Sequence, residues 1–201
     1  MDLLLLVFIG GYVYGGFRTG FVHQLLSLGL LALAFVVGAY LRGPLNAIVA
    51  PLIKGIPASY GEMVAYTIAF TAIYAVANII VLRILKHVPV RGVSAAMDRV
   101  LGAILGGVVA VLIVSAGIAI LDTYYKNPAY LGQAASVGFG FLKSIHDSLE
   151  VSTIAGILRD TTVPVMLTIL GPFIPKDVTL PYFPVLPGGS FPLPGGSFPL
   201  P

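Results

Sequence analysis

The stretch Val100–Leu121, VLGAILGGVVAVLIVSAGIAIL, runs for 22 residues without a full charge. At about 1.5 Å of rise per residue, a helix of that length covers the roughly 30 Å of a bilayer's hydrocarbon core. Three more uncharged runs precede it: Leu3–Phe17, Thr19–Leu41 and Met63–Leu82, the last two with 23 and 20 residues. The chain of 201 residues is 9 % charged, where a soluble domain carries about 25 %. It reads as an all-α integral membrane protein with four transmembrane helices.

The first run is the shortest, at 15 residues. A cleaved signal peptide needs a basic start and a small-residue cleavage site. This chain has Asp2 at its start and no Ala-x-Ala after the run. The run is therefore an uncleaved span or, alternatively, a re-entrant or interfacial helix. Beyond the spans, the loop Arg42–Glu62 carries Pro44, Pro51 and Pro57 around Leu45–Ile56, which reads as a broken helix in the interface.

Three segments follow: a four-span domain over 1–122, an amphipathic or interfacial helical segment over 123–175, and a Pro/Gly-rich extended tail over 176–201. In the second, Phe139, Leu142, Ile145 and Leu149 recur at helical spacing, with Lys143, Asp147 and Glu150 elsewhere. Thr161–Ile174 holds Pro164 and Pro172 and reads as a helix on the outer membrane surface. The tail repeats LPGGSFP, at Leu186–Pro192 and Leu193–Pro199. Pro and Gly at that density exclude helix and strand. It is either a solvated end or a strap presenting Phe191 and Phe198 to a partner.

Charge sets the expected orientation. Arg18, Arg83, Lys86, Arg91 and Arg99 fall on one side with the single acid Asp98, while the other side is net −1. Cations near span ends stay in the cytoplasm, so both termini should face outward. The overall charge of +3 is small and scattered, which argues against nucleic acid. Absent cysteine excludes disulfides and thiolate metal sites. His23, His87 and His146 show no ligand spacing, and no catalytic or cofactor-binding constellation stands out, so no enzyme activity and no cofactor is expected.

Glycine is concentrated where helices should meet. Gly11 and Gly15, Gly16 and Gly20, and Gly102 and Gly106 are GxxxG pairs, with Gly107 alongside. Small residues let backbones approach where no hydrophobic effect separates helix from lipid. They read as packing between the first and fourth spans, and secondarily as a contact with a second copy of the chain. Arg18 and Asp98 share the cytoplasmic boundary and are expected to pair, leaving Arg99 to the lipid headgroups. In the third span Thr67, Thr71, Tyr74 and Asn78 share one helical face. That stripe is either a set of interhelical hydrogen bonds or the lining of a path for a small polar solute.

Two motifs carry a resemblance. Gly16-Phe17-Arg18-Thr19-Gly20-Phe21, followed by Gln24-Leu25-Leu26, resembles the G-x-x-x-G-F-x-x-E-L signature of the colicin V production protein family, with Gln24 where the family often has Glu. Asp98-Arg99-Val100-Leu101-Gly102, continuing to Gly106, resembles that family's D-R-x-x-G-x-x-x-G opening of the fourth span. The resemblance covers roughly residues 1–122. It implies a four-span bacterial inner-membrane protein linked to toxin production or export and to envelope homeostasis. Some relatives carry a protease domain on the outer side after the last span, in keeping with an outward C-terminus. The sequence thus points to a non-enzymatic membrane scaffold or accessory subunit of an envelope complex, in contact with membrane lipid and a membrane-protein partner. The alternative is a small-solute or peptide transport component that uses the third-span stripe.

Overall fold

A computed structural model describes residues 1–52, 58–85, 95–126, 140–179 and 181–183. Lys86–Ser94, Asn127–Pro128, Phe139 and both LPGGSFP copies lie outside the described residues. All regular elements among the described residues are helical. In lipid, backbone N–H and C=O groups must be bonded within the segment, and uncharged runs of this length have no other solution.

Helix α1 spans Asp2–Thr19 and α2 spans Phe21–Val49. A 3-10 turn, Ala50–Leu52, follows α2. Helix α3 covers Ala58–Leu85 and α4 covers Ala95–Tyr125. Short helices α5 (Gly140–Glu150), α6 (Thr153–Asp160) and α7 (Thr162–Leu170) come next, then a 3-10 turn at Gly171–Phe173 and a last turn, α8, at Lys176–Thr179.

The helices outrun the uncharged stretches at both ends. Helix α2 passes Arg42 and Pro44 to reach Val49, where a separate interfacial helix from Leu45 was expected. A charge marks where side chains meet water. It does not oblige the backbone to stop.

Helix α1 runs antiparallel along α4, α4 lies against α2, and α2 pairs with α3. Helix α4 also touches α5, α6, α7 and α8, so it is the post on which every other described α-helix rests. The aromatic layer between α2 and α3 is buried: Phe35 meets Tyr66 at 5.7 Å and Phe70 edge-on at 6.2 Å between ring centroids. The Tyr66 hydroxyl donates to the Phe35 carbonyl oxygen at 3.1 Å, so its one polar atom is satisfied.

Among the described residues, four helical stretches are long and apolar enough to cross a membrane: Phe21–Val49, Tyr60–Ile84, Ala96–Tyr125 and Thr153–Phe173. The set differs from the uncharged runs at two points. Helix α1, with Asp2, Arg18 and four glycines within it, is outside the set. The α6–α7 stretch is inside it, although Thr161–Ile174 alone reads as a surface helix. Pro164 falls in the first turn of α7, where its missing N–H has no partner to lose. Val163, Met166 and Leu167 are buried on one side of α7, and Val165 and Ile169 are exposed along the other, as is Phe173 in the turn that follows.

Candidate functional site

Two acids bound the long uncharged part of α4, and each holds other helices. At the Asp98 end, α1 and α2 meet at Gly20, the one residue between them. Gly20 has φ +86°, a conformation that L side chains rarely adopt. Its N–H closes α1 on the Gly16 carbonyl at 2.9 Å, and its carbonyl accepts from Gln24 N–H at 3.3 Å. Asp98 Oδ1 accepts from the first N–H of α2, Phe21, at 3.0 Å. A side chain on α4 therefore supplies the cap that Gly20 cannot give α2. The buried Gln24 amide donates to the Thr19 hydroxyl at 3.2 Å, a role for the residue that departs from the family signature.

The glycines beside that cap are placed by backbone contact. A Cβ on Gly16 would overlap the Gly102 carbonyl oxygen and come within 3.1 Å of Gly106 Cα. One on Gly102 would collide with the Gly16 carbonyl oxygen and lie 2.7 Å from the Gly20 carbonyl carbon. One on Gly106 would overlap the Tyr12 carbonyl oxygen. Gly107 faces Val13 Cγ2 at 3.3 Å, while Gly11 and Gly15 have nothing within 4 Å. The crossing thus consists of Gly16, Gly20, Gly102 and Gly106, and the Gly11–Gly15 pair faces away from it.

The expected Arg18–Asp98 pair is not formed. Among the described residues the Asp98 carboxylate is occupied by α2, and the Arg18 guanidinium sits over the Tyr14 ring at 5.9 Å. Arg99 lies over the Phe17 ring at 6.0 Å. A helix N-terminus attracts a carboxylate with its unbonded N–H groups and its dipole, and here it is closer than the guanidinium.

The third-span stripe separates into two parts. Asn78 Oδ1 accepts from Ser27 on α2 at 2.5 Å, and its amide donates to the Tyr74 carbonyl at 3.1 Å. The Tyr74 hydroxyl meets those of Tyr12 and Ser27, joining α1, α2 and α3. Thr67 bonds back to the Met63 carbonyl at 2.9 Å, and Thr71 is exposed on the bundle surface.

At the opposite end of α4 lies a cluster that sequence reasoning did not find. The Asp122 side chain is 1 % exposed. It accepts from Arg159 on α6 through two bonds, Nε at 2.7 Å and a terminal nitrogen at 3.1 Å. Tyr182, after α8, donates its hydroxyl at 2.6 Å, and His146 on α5 places Nε2 at 3.2 Å. Beside a carboxylate acceptor, that nitrogen carries the proton. Lys126 bridges outward to Glu150 at 3.1 Å. Burial, then the negative charge of Asp122, pushes the Tyr182 hydroxyl above its ordinary range, so it remains a donor.

The chain leaves Asp122 at Arg159, carries α7 along the bundle, and returns to the same carboxylate at Tyr182. Close by, Asp2 accepts from the Ser152 hydroxyl and from Ile154 N–H at 3.4 Å, while Ser152 caps α6 through Ala155 N–H at 3.1 Å. The Ser152 bond holds the Asp2 carboxyl below its usual range. The start of α1 and the start of α6 therefore share one end of the bundle. The signal for this cluster was faint. Arg159 has no acid three or four residues away on either side, so its partner had to be remote.

A family model for colicin V production proteins matches residues 1–147. The chain belongs to that family. The match spans all four long helices and the start of α5, including the Asp98 cap, the glycine crossing and Asp122, and stops short of Arg159 and Tyr182. Searches of curated proteins and of solved structures return no match. The family and the multi-pass helical architecture together make this a membrane protein linked to toxin production.

Proposed function

We propose that this protein is a non-enzymatic scaffold or accessory subunit of an envelope complex in the bacterial inner membrane, with both termini on the outer side. One observation carries the reading: the acids at both ends of α4 bind other helices of the same chain. Asp98 caps α2, and Asp122 gathers α5, α6 and the segment after α8. Such side chains fix a shape, which is what a scaffold requires. Orientation rests on the excess of cations at the Arg18 and Arg83–Arg99 connections, and the Asp2–Ser152 contact supports placing the N-terminus and the C-terminal helices on one side.

The test compares variants in a host whose colicin V production depends on this protein. Asp122→Ala should lose both toxin production and the envelope proteins crosslinked to the protein in native membranes. Thr71→Val combined with Asn78→Ala should keep both. Loss of production in the stripe variant with its crosslinked complex intact would favour the transport reading instead. In intact spheroplasts an impermeant thiol reagent should label a cysteine at Ser59 and miss one at Thr19; the reverse pattern inverts the orientation.

A further inference from the structure

An apolar cleft of about 540 Å³ opens between α2, α4 and α7. Its walls include Leu31 and Phe35 from α2, Leu112 and Ala116 from α4, and Val165 and Met166 from α7. Leu31 and Leu112 stand near the middle of their uncharged runs, Thr19–Leu41 and Val100–Leu121. The cleft is therefore at hydrocarbon depth. Thr161 and Thr162 are its only hydroxyl-bearing lining residues, and the Thr161 hydroxyl already donates to the Ile157 carbonyl at 2.6 Å.

We propose that this cleft binds one acyl chain of a bilayer phospholipid as a fixed component of the fold. Three features select that occupant. Water needs two to four polar partners in a cavity, and this lining does not supply them, so a polar solute is excluded. A partner helix does not fit: a cylinder about 10 Å across fills such a volume in about 7 Å, little more than one turn. The mouth is continuous with the lipid-facing side of α7, where Val165 and Ile169 are 60 % and 66 % exposed, so a chain enters sideways from the bilayer. The α7 wall is also held in place, because Arg159 before it and Tyr182 after it both bind Asp122. The volume lies in the range of small-molecule sites, about 300 to 1,000 Å³.

The experiment uses the full chain in vesicles of phosphatidylethanolamine and phosphatidylglycerol, with a trace of phosphatidylglycerol bearing a diazirine midway along one acyl chain. After irradiation, labelled positions are read by peptide mass spectrometry. Leu31 and Met166 are 4 % and 7 % exposed, whereas Ile80 on α3 is 51 % exposed and serves as the bulk-lipid control. Labelling at Leu31 and Met166 should equal or exceed that at Ile80. Ala116→Phe, which fills the cleft, should lower it several-fold with Ile80 unchanged. The smaller Ala32→Leu, on the α2 wall, should lower it in the same sense if Ala116→Phe fails to fold. Labelling confined to Ile80, or labelling of the cleft that neither filling substitution reduces, overturns the proposal. Labelling by a free diazirine fatty acid but not by the phospholipid overturns it as well.

Discussion

The Asp98 end and the Asp122 end of α4 hold their neighbours by different means. At the first, backbone touches backbone: Gly16, Gly102 and Gly106 leave no room for a Cβ. At the second, three side chains reach one buried carboxylate from 24, 37 and 60 residues away in the chain, and Lys126, one turn beyond it, lies at its rim. A backbone crossing tolerates almost no change of volume but involves little charge. A buried carboxylate tolerates changes of shape but not the loss of one partner. The two ends should therefore fail differently under substitution.

The largest effect is expected at the charged end. Asp122→Ala leaves the Arg159 guanidinium, 13 % exposed, without its carboxylate. Removing one member of a buried pair costs about 3 to 5 kcal/mol, whereas replacing both with apolar groups of similar size is close to neutral. Thermal unfolding in detergent, followed by helical circular dichroism, should show a large loss for Asp122→Ala. Asp122→Leu with Arg159→Met should recover most of it. If the double variant is as unstable as the single one, the cluster does more than hold helices together.

A smaller loss is expected at the crossing. Gly102→Ala forces a methyl into the Gly16 carbonyl and the Gly20 backbone, which no rotamer change relieves. Overpacking of this kind costs about 1 to 3 kcal/mol. Gly15→Ala meets nothing within 4 Å and should stay within about 0.5 kcal/mol of the parent. The same unfolding measurement ranks them. Equal losses at Gly15 and Gly102 would show that helix flexibility, and not close approach, explains both glycines.

What was legible in the sequence follows the same division. The four uncharged runs announced helices because lipid permits little else, and the α1–α4 contact was visible because each glycine set repeats within a single helix. The choice among glycines was not visible: Gly11–Gly15 and Gly16–Gly20 have identical spacing, and only the rotation of α1 decides which faces α4. Asp122 was hidden for a different reason. An acid one residue past an uncharged run looks like an exit into water, and nothing local says that α5, α6 and Tyr182 will close over it. Thr161–Ile174 looked too proline-bound to join a longer apolar stretch, but Pro164 sits in the first turn of α7, which a proline does not break.

The smallest predicted effect tests the Asp98 cap itself. Asp98→Ala removes the only described side-chain acceptor for Phe21 N–H, the first donor of α2. Loss of a cap costs about 1 kcal/mol. Asp98→Asn keeps a side-chain oxygen in place and should retain most of the stability, because the amide can still accept from that N–H. Arg18 lies over Tyr14 and has no bond to Asp98, so Arg18→Ala and Asp98→Ala should add without a coupling term. A coupling above about 0.5 kcal/mol in the double-mutant cycle would mean that the guanidinium reaches Asp98 in the membrane. The Asp98 end would then be, like the Asp122 end, a charge-centred junction, and the contrast between the two would reduce to the glycines alone.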